Sequence, residues 1–498
     1  MEYIAGEHRT QSMLFPNLLD NYVSQENPVR VIDAYVDSLD LKGLDFIVST
    51  AQTGRPPYNP KDLLKLYIYG YFNKVRSSRN LEKETQRNIE VMWLMKKLTP
   101  DHKTIARFRH DNPKPLKNVF KDFVKLCIKL DLYSKELIAI DGSKFRAVNS
   151  KDNNFTKKKL ADRIARLDAQ IDEINKEMDT CDAKETEKEK ENPKKTKTVQ
   201  ETRAILTQHL AELNERKTVY QMYTQELEQT GEPQKSLTDP ESRLMMMANG
   251  KTDVCYNIQT AVDVKNKLIA DFEVTNDAQD RNKLYVMAKK AAEILDVTKL
   301  SAVADAGYDS ATDIVDCIEH GIDVHVAGAE FDVCVPCSEE ESKEVLSYTN
   351  GRCVYIAERN LALCPMGKVM YPSSYVKKTK DASFYNSKAC SGCVCRCSKG
   401  VKVFSIVMRE EEFSRVYDEE GLFVRQVRVK PDKGLVRLRK TLSEHPFGVL
   451  KRVMGMDYCL LRGVERVRGE FSLAFLVFNL KRVINMIGVS NLIQAIQA

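Results

Sequence analysis

Two regular apolar seams lie in the middle of the chain, between about 157 and 229. The first alternates steps of four and three residues, which is the spacing of a heptad repeat, and the second has steps of four, three and seven. The first seam is Leu160, Ile164, Leu167, Ile171, Ile174 and Met178, and the second is Leu206, Leu210, Leu213, Tyr220 and Leu227. A polar stretch from 185 to 198 separates them, and Lys217 interrupts the second. The pattern predicts an antiparallel helical hairpin of the coiled-coil type.

Short apolar or alternating segments on both sides of this hairpin predict strands. Apolar runs at 137–140 and 302–304 each lead into an aspartate, and each is expected to end there. Even alternation in 254–263 and 268–274 indicates an antiparallel pair. Helices near 280–295 and 311–320 and a strand at 323–327 complete the order. With the hairpin removed, this order predicts an α/β fold: a ribonuclease H-like mixed sheet flanked by helices.

The segment from about 16 to 130 has helical periodicity throughout. Short basic helices joined by tight turns are typical of helix-turn-helix-like DNA readers. The candidate DNA-binding residues here are Arg55, Lys103, Arg107 and Arg109. A plain helical bundle with a solvated basic face is the alternative.

Composition narrows the possibilities for the 498-residue chain. Hydrophobic content of 43% and charged content of 30% are globular values and exclude a disordered protein. The net charge of +6 is mild, but residues 55–109 hold thirteen Lys or Arg against five acids, which favours a polyanionic partner. No segment has the length of a membrane span or the pattern of a signal peptide, so we expect a cytoplasmic protein with no membrane partner.

Three acids are the candidate catalytic residues: Asp141, Asp305 and Glu444. A carboxylate at the end of a buried strand is costly unless a cation meets it, although a lone strand-end aspartate is more often a turn residue. Three acids from separate elements suit two Mg²⁺ or Mn²⁺ ions that activate and stabilise phosphodiester oxygens. Ser443 is expected to cap a helix that opens near 442, with Pro446 in its first turn.

Basic residues near Glu444 are candidate phosphate ligands. Glu444, Gly448 and Lys451 follow helical spacing and share one face. Lys440 precedes Glu444 by four residues and Arg439 by five. We therefore expect Lys440 and Lys451 to contact DNA, with a solvated lysine as the alternative for Lys451.

Three motifs carry a resemblance to a known family. Residues 139–145, 303–308 and 444–448 resemble the acidic signatures of bacterial insertion-sequence DDE transposases, in the branch with a helical insertion after the first aspartate. Residues from 54 onward resemble that branch's helical domain, and residues 239–244 match it as well. Many relatives have an Arg three residues before the catalytic Glu, and this chain does not.

The resemblance implies a DNA transposase. Such an enzyme binds double-stranded DNA at the terminal inverted repeats, cleaves it with a divalent metal and transfers the strand to a target. It also implies at least a homodimer on DNA, in the nucleoid of a bacterial cytoplasm. The alternatives are a catalytically inactive DNA-binding protein with this fold and a hydrolytic nuclease that does not join ends.

A cysteine-rich segment separates Asp305 from Glu444 by 138 residues. Paired cysteines two residues apart are a signal for structural zinc, and relatives carry a similar insertion. The preferred ligands are Cys364, Cys390, Cys393 and Cys397, and the competing thiols are Cys334, Cys337, Cys353 and Cys395. Unligated thiols are the alternative.

These observations predict four regions. The helical DNA-binding domain is 1–130, the catalytic domain is 131–155 with 236–330 and 430–498, the helical hairpin is 156–235, and the Cys-rich insertion is 331–429.

Overall fold

A computed structural model describes residues 18–47, 56–188, 193–247, 249–342, 352–390, 393 and 403–498, with backbone only for 182–188, 193–200 and 390. The fold is mixed α/β with a helical N-terminal region. The chain divides into two compact units. One comprises Met1–Phe145 and Asn257–Ala498, and the other comprises Arg146–Tyr256.

In residues 18–47 and 56–136, the described part of the chain before the first strand, the structure has six α-helices. They are α1 (Pro28–Ser38), α2 (Pro60–Phe72), α3 (Ser78–Arg87), α4 (Ile89–Leu94), α5 (His102–Asp111) and α6 (Pro113–Lys129). Asn27, Asn59 and Asp101 cap three of them by accepting backbone N–H groups of the first turn. Buried tyrosines tie the helices together, since Tyr67 Oη donates to the Ile105 carbonyl at 2.7 Å. The strand β1 (Leu137–Arg146) follows.

The second unit is a long helical hairpin on a short stem. Its elements are β2 (Asn154–Thr156), α7 (Lys157–Lys188), α8 (Pro193–Thr230), β3 (Gln234–Ser236), β4 (Arg243–Met246) and the first part of β5 (Thr252–Asp263). β2 and β3 pair antiparallel at the base of the hairpin. Asp239, from the 239–244 motif, is fully buried and accepts a 2.8 Å hydrogen bond from Tyr256 Oη.

Helices α7 and α8 pack through the residues of the two apolar seams. Leu167, Ile174 and Leu213 form one buried cluster, and Leu160 and Leu227 join Phe155 in another. Lys217, which interrupts the second seam, forms an ion pair of 2.5 Å with Asp168 of the facing helix. The charge in the seam is therefore compensated rather than buried alone.

The main sheet of the first unit has the order β6-β5-β1-β7-β8. Its remaining elements are β6 (Ile269–Thr275), α9 (Leu284–Leu295), β7 (Leu300–Ala304), α10 (Ala311–Glu319) and β8 (Ile322–Val326). β5 pairs antiparallel with β6, whereas β1, β7 and β8 are mutually parallel. α9 and α10 are the crossover helices between β6 and β7 and between β7 and β8, as parallel pairing requires.

Two separate antiparallel sheets follow β8. The strands are β9 (Phe331–Cys337), β10 (Val354–Ile356), β11 (Leu361–Leu363), β12 (Val369–Val376), β13 (Asp381–Tyr385), β14 (Phe404–Val407) and β15 (Phe423–Val429), with short helices α11 (Ser387–Cys390) and α12 (Glu410–Phe413). Strands β10 to β14 form one sheet in sequence order. β9 and β15 pair with Phe331 opposite Val429, so the chain enters and leaves this segment at one place.

The C-terminal helices complete the first unit. α13 (Lys433–Gly448) runs into a π-helical turn at Val449–Val453, followed by α14 (Val464–Ile487) and α15 (Val489–Gln497). The buried Asn479 of α14 bonds both the backbone N–H and the carbonyl of Ile269 at 2.9 Å, which fixes the helix against β6. Within the described ranges no single helix is long and apolar enough to cross a membrane, and only α14 with α15, bent by 110°, meets that criterion as a pair.

Candidate active site

Asp141 and Asp305 come from neighbouring parallel strands. β1 and β7 pair with Leu137 opposite Ser301 and Ala139 opposite Val303. Continued by two residues, this register sets Asp141 beside Asp305. Ile138, Ala139 and Ile140 before Asp141, and Ala302 to Ala304 before Asp305, are fully buried. The apolar runs thus bring two carboxylates, remote in sequence, to one place in the sheet.

The prediction that β1 ends at Asp141 is wrong, because the strand continues to Arg146. The long strand β5 supplies backbone partners well past the aspartate. Val264 N donates to the Leu137 carbonyl at one end, and Ala147 N donates to the Val254 carbonyl at the other. Asp141 therefore sits in mid-strand, where its backbone is held on both sides.

The carboxyl group of Asp141 is only 17% exposed. Burial raises its pKa to about 6, the Asp305 carboxylate acts in the same direction, and a hydrogen bond from Ser443 and the Arg439 guanidinium oppose the rise. Arg439 Nη1 lies 3.4 Å from Asp141 Oδ2, and Arg439 Nε is buried without a hydrogen-bond partner. The negative charge at this point is only partly compensated by the protein.

A tight 3₁₀ turn, Ala306–Tyr308, follows Asp305. Asp305 Oδ1 accepts the Gly307 N–H at 2.8 Å, which aligns the carboxylate at the end of β7. Tyr308 is fully buried, and its hydroxyl donates to Gln259 Oε1. Burial, together with the carboxylates of Asp280, Asp141 and Asp305, raises the pKa of Tyr308 well above its usual value, so the phenol keeps its proton.

Asp280 is a functional candidate that the sequence reasoning missed. Its Oδ1 accepts hydrogen bonds from Asn257 Nδ2 and from Gln259 Nε2, both at 2.7 Å. Asn257 and Gln259 are 0% and 1% exposed on one face of β5. The sequence contained one signal for this cluster: two amide side chains at alternate positions of an apolar strand. Buried polar groups require hydrogen-bond partners, so these amides indicated a polar residue nearby.

Gly142, directly after Asp141, leaves room for this amide cluster. A Cβ at position 142 would lie 2.3 Å from Gln259 Nε2, 2.6 Å from Asp280 Oδ1 and 3.1 Å from Asn257 Oδ1. Any side chain at 142 would therefore displace the groups that surround the backbone of Asp141.

Helix α13 packs against the same strands. Asp432 caps it by accepting the Gly434 and Leu435 N–H groups at 2.6 and 2.9 Å, so the cap lies eleven residues before the predicted cap, Ser443. Ser443 is consequently not a cap, and Pro446 lies inside the helix rather than in its first turn. Leu442 packs against Leu137, Ala139 and Val303. Arg439 and Ser443 lie on the face of α13 that packs against the sheet, and both contact Asp141.

Glu444 lies on the opposite, exposed face of α13. It shares this face with three basic side chains at helical spacing: Lys433, Arg437 and Lys440. Among the described residues, no three His, Cys, Asp or Glu side chains are arranged to hold a metal ion together. The structure thus places Asp141 beside Asp305. Glu444 is not part of this pair, because the residue of α13 that contacts Asp141 is its neighbour Ser443.

Lys451 reaches β1 on the other side of Asp141. Its Nζ donates to Ser143 Oγ at 2.7 Å and to the Lys144 carbonyl at 3.0 Å, and it lies 4.5 Å from the centre of the Phe145 ring. It belongs to the π-helical turn after α13, a local geometry that is frequent at functional sites. The Lys451 ammonium group therefore contacts Ser143 and Lys144, the residues two and three positions after the candidate catalytic Asp141.

Two protein-family models match the chain. Residues 17–111 match "Transposase domain (DUF772)", and residues 363–484 match "Transposase DDE domain". Both matches support an insertion-sequence DDE transposase. The family resemblance drawn from the acidic motifs is confirmed. The DDE-domain match contains Glu444 and Lys451, whereas Asp141 and Asp305 lie outside it.

Other comparisons add little to this transposase assignment. One solved structure that matches is described as the cryo-EM structure of piggyBac transposase synaptic complex with hairpin DNA. The sequences are 9% identical, and the match covers 95% of this chain and 80% of the other. Its TM-score of 0.29 is too low to support a structural argument. No curated protein sequence matches the chain.

The candidate DNA-binding residues of the transposase have different surroundings. Lys103 and Arg107 are exposed on α5, and Lys440 is exposed on α13. Arg109 is only 5% exposed and donates to Tyr71 Oη at 3.0 Å, so its prediction as a DNA contact is wrong. It lies on the inner face of α5 and stabilises the helical core instead. Arg55 lies outside the described residues.

The cysteines chosen as zinc ligands are only partly described. Cys364 and Cys393 are half-buried, whereas Cys397 and the side chain of Cys390 lie outside the described residues. Cys364 begins a turn in which its Sγ accepts the Lys368 N–H at 3.3 Å. Burial, together with Cys364 nearby, raises the pKa of the competing Cys334 to about 12, which favours its thiol form.

Proposed function

We propose that this transposase binds the terminal inverted repeats of its element and carries out metal-dependent strand cleavage and strand transfer. The observation that carries the proposal is the placement of Asp141 beside Asp305 on parallel strands of a chain with two transposase-family matches. We assign the catalytic roles to Asp141, Asp305 and Glu444.

The catalytic core is proposed to be ribonuclease H-like. The strand order β6-β5-β1-β7-β8 supports this, with one antiparallel half and one parallel half. In such a sheet the central strand β1 and its parallel neighbour β7 present residues at one edge, which is where ligands bind in α/β sheets. Asp305 occupies this position directly after β7, and Asp141 lies beside it within β1.

The residues fit a pair of divalent cations such as Mg²⁺ or Mn²⁺. Two adjacent, partly buried carboxylates provide the oxygen ligands that Mg²⁺ prefers, and their charge is only partly balanced by Arg439. When bound, the cations would supply Lewis acidity and activation of the attacking oxygen. Asp141 and Asp305 would hold them, with Glu444 as the third carboxylate.

Glu444 reaches the site in this proposal by rotation of α13. Ser443 already contacts Asp141, and Glu444 is the next residue along the helix. One residue of α-helix corresponds to about 100° of rotation. The π-helical turn after α13 and the weak 3.4 Å contact of Arg439 support a helix that can turn, and the turn would move Leu442 out of its contacts with Leu137, Ala139 and Val303.

Basic residues would position the DNA. Lys451 and Arg439 flank Asp141 and are suited to hold the phosphates next to the scissile bond. Lys440 lies on the exposed face of α13, and Lys103 and Arg107 are proposed to bind the inverted repeats. Because both element ends must be brought together, we propose a homodimer on DNA, in the bacterial nucleoid.

The test is a Mg²⁺-dependent cleavage assay on DNA that carries the inverted repeats flanking the gene. Asp141→Asn, Asp305→Asn and Glu444→Gln are each expected to abolish cleavage while DNA binding is kept, since each removes a carboxylate but little volume. Asp323→Asn, at an exposed aspartate of the neighbouring strand β8, is the matched control and should cleave normally. Cleavage by any of the three site variants would contradict the assignment.

The same assay separates the alternatives. A catalytically inactive DNA-binding protein would bind the repeats without any Mg²⁺-dependent nick. A hydrolytic nuclease would nick them without forming products joined to a target through a 3′-hydroxyl. Recovery of joined products supports the transposase.

We also propose a structural zinc ion in the Cys-rich segment, with Cys364, Cys390, Cys393 and Cys397 as ligands. The turn at Cys364, in which a backbone N–H already points at the sulfur, supports a thiolate there. Native mass spectrometry should find one zinc per chain, and zinc-free protein of normal fold would reject the proposal.

A further inference from the structure

The start of helix α7, at the base of the hairpin, is rich in cations. Its first three residues are Lys157, Lys158 and Lys159, and its first turn holds no acid. The first turn of a helix carries the positive end of the helix dipole, so acidic side chains stabilise it and basic ones do not. These lysines therefore do not help α7 to form, and their presence needs another reason.

The positive charge is confined to one end of α7. Residues 151–166 hold six Lys or Arg against two acids, whereas residues 167–188 hold three against eight. The base of the hairpin is thus basic, and the rest of α7 is acidic. A surface with this separation attracts a polyanion to the base and repels it further along the helix.

One of the three lysines holds the base of the hairpin together. Lys159 Nζ donates to the Asn154 carbonyl at 2.9 Å and to the Lys151 carbonyl. A 3₁₀ turn that begins at Lys151 is thereby held against the start of α7. The basal lysines, defined as Lys151, Lys157 and Lys158, are all exposed, and this contact keeps the first of them near the other two.

The acids closest in sequence do not neutralise the basal lysines. Asp152 lies 3.8 Å from Arg163, and Asp168 lies 2.5 Å from Lys217, so these two acids are paired with other cations. Within the described ranges, none of the basal lysines has an acid within ion-pair distance, and this includes Asp162, one turn along α7. The described part of the hairpin therefore leaves the charge of the basal lysines uncompensated.

We propose that the basal lysines bind the sugar-phosphate backbone of double-stranded DNA, which gives the helical hairpin a role in holding DNA. The inference rests on the proposed function for the identity of the polyanion. The positive end of a helix with lysines beside it is well suited to phosphate. Phosphate contacts carry no sequence information, so this surface would hold DNA outside the inverted repeats as well as within them.

The experiment measures binding of the full-length protein to two DNA duplexes, one with the inverted repeat and one of unrelated sequence. Fluorescence anisotropy across a salt series gives the slope of log affinity against log salt. Lys157→Gln and Lys158→Gln should each lower this slope by about one on both duplexes, because each removes one phosphate contact.

Lys176→Gln is the matched control. Lys176 is an exposed lysine of the same helix, among the acidic residues beyond the base. This variant should keep the wild-type slope on both duplexes. An equal loss of slope in Lys176→Gln would overturn the inference, because the effect would then not belong to the base of the hairpin.

A melting curve separates DNA binding from folding. Because a cation is unfavourable at the start of a helix, Lys158→Glu should melt at the wild-type temperature or above it, although it binds DNA more weakly. A lower melting temperature in Lys158→Glu and in both Gln variants would overturn the inference, because the lysines would then act on the fold.

The outcomes separate this inference from the proposed function, since binding to the unrelated duplex requires neither the repeats nor cleavage. An unchanged slope in both Gln variants overturns the inference, even if the wild type cleaves the repeats. An unchanged slope with loss of the dimer in analytical ultracentrifugation also overturns it and assigns the lysines to a protein contact. A lower slope with a normal melting temperature supports it, even if the wild type fails to cleave the repeats and the proposed function falls.

Discussion

Arg107 and Arg109 are two residues apart on α5 and have opposite surroundings. The Arg107 side chain is 84% exposed, and its ion pair with Asp111 is 4.0 Å long. Arg109 is buried, donates to Tyr71 and to the Arg76 carbonyl, and lies 5.1 Å from the centre of the Tyr67 ring. The two arginines therefore have different roles: Arg107 is available to contact DNA, whereas Arg109 stabilises the helical core.

Replacement of these arginines should separate DNA binding from stability. Arg107→Ala should weaken DNA binding and lower the slope of log affinity against log salt by about one, because one phosphate contact is lost. Lys103→Ala should do the same, and Lys125→Ala, at an exposed lysine of α6, is the control. Salt titrations of fluorescence anisotropy on repeat DNA measure the slope. An unchanged slope in both α5 variants would contradict a DNA-contact role.

Arg109→Ala is expected to destabilise the fold. The loss of charged hydrogen bonds to buried partners should lower the free energy of unfolding by about 1.5–3 kcal/mol. Urea unfolding measures the change, and Arg107→Ala should unfold like the wild type. The sequence could not distinguish these residues, because basic side chains at helical spacing look alike until the packing of α5 is known.

At the scale of elements, helix α9 depends on a cap from another helix. Lys283, the residue before α9, provides no side-chain cap. Asp313 of α10 accepts the N–H groups of Leu284 and Tyr285 at 2.8 and 3.1 Å instead. Local sequence rules for helix starts do not reveal such a contact, since the two residues are 29 positions apart.

The free energy of unfolding should change with pH as Asp313 titrates. Burial raises its pKa from 3.8 to about 6. The folded state then holds the proton more tightly than the unfolded chain, so this stabilisation is complete below pH 3.8 and is lost as the pH rises through about 6. The change amounts to about 3 kcal/mol at most. Urea unfolding at pH 4 and pH 7 should show it in the wild type and not in Asp313→Asn. Equal pH dependence in both proteins would contradict this account.

The hairpin offers a second test at this scale. Leu213 is 2% exposed between α7 and α8, whereas Ile205 on the same helix is 68% exposed. Leu213→Ala should destabilise the hairpin by about 2–5 kcal/mol through lost burial and a cavity. Ile205→Ala should change stability by no more than about 0.5 kcal/mol. Circular dichroism at 222 nm during urea unfolding compares them, and equal effects would count against the packed seam.

The helices and strands of this chain were predictable where apolar residues recur at a regular spacing or form a continuous run. The heptad seams and the apolar runs before Asp141 and Asp305 each correspond to an observed element. The boundaries of β1 and α13 were not predictable. β1 is extended by pairing with β5, and α13 starts at a cap, Asp432, that lies eleven residues before the expected Ser443.

At the scale of the whole molecule, the sheet determines which acids can cooperate. Parallel pairing of β1 with β7 joins two aspartates that are 164 positions apart, and the amides of β5 bring Asp280 to the same edge. The sequence suggested the first pair through apolar runs that end in a carboxylate. It did not suggest Asp280, which lies in a loop and accepts hydrogen bonds from Asn257 and Gln259.

The measurement that tests this account most directly is the anomalous scattering of Mn²⁺ in crystals of the transposase with DNA. The account predicts Mn²⁺ between the carboxyl groups of Asp141 and Asp305, with α13 turned so that Glu444 replaces Ser443 at the site. Mn²⁺ bound elsewhere, or Mn²⁺ between the two aspartates with Glu444 still on the exposed face of α13, would contradict it.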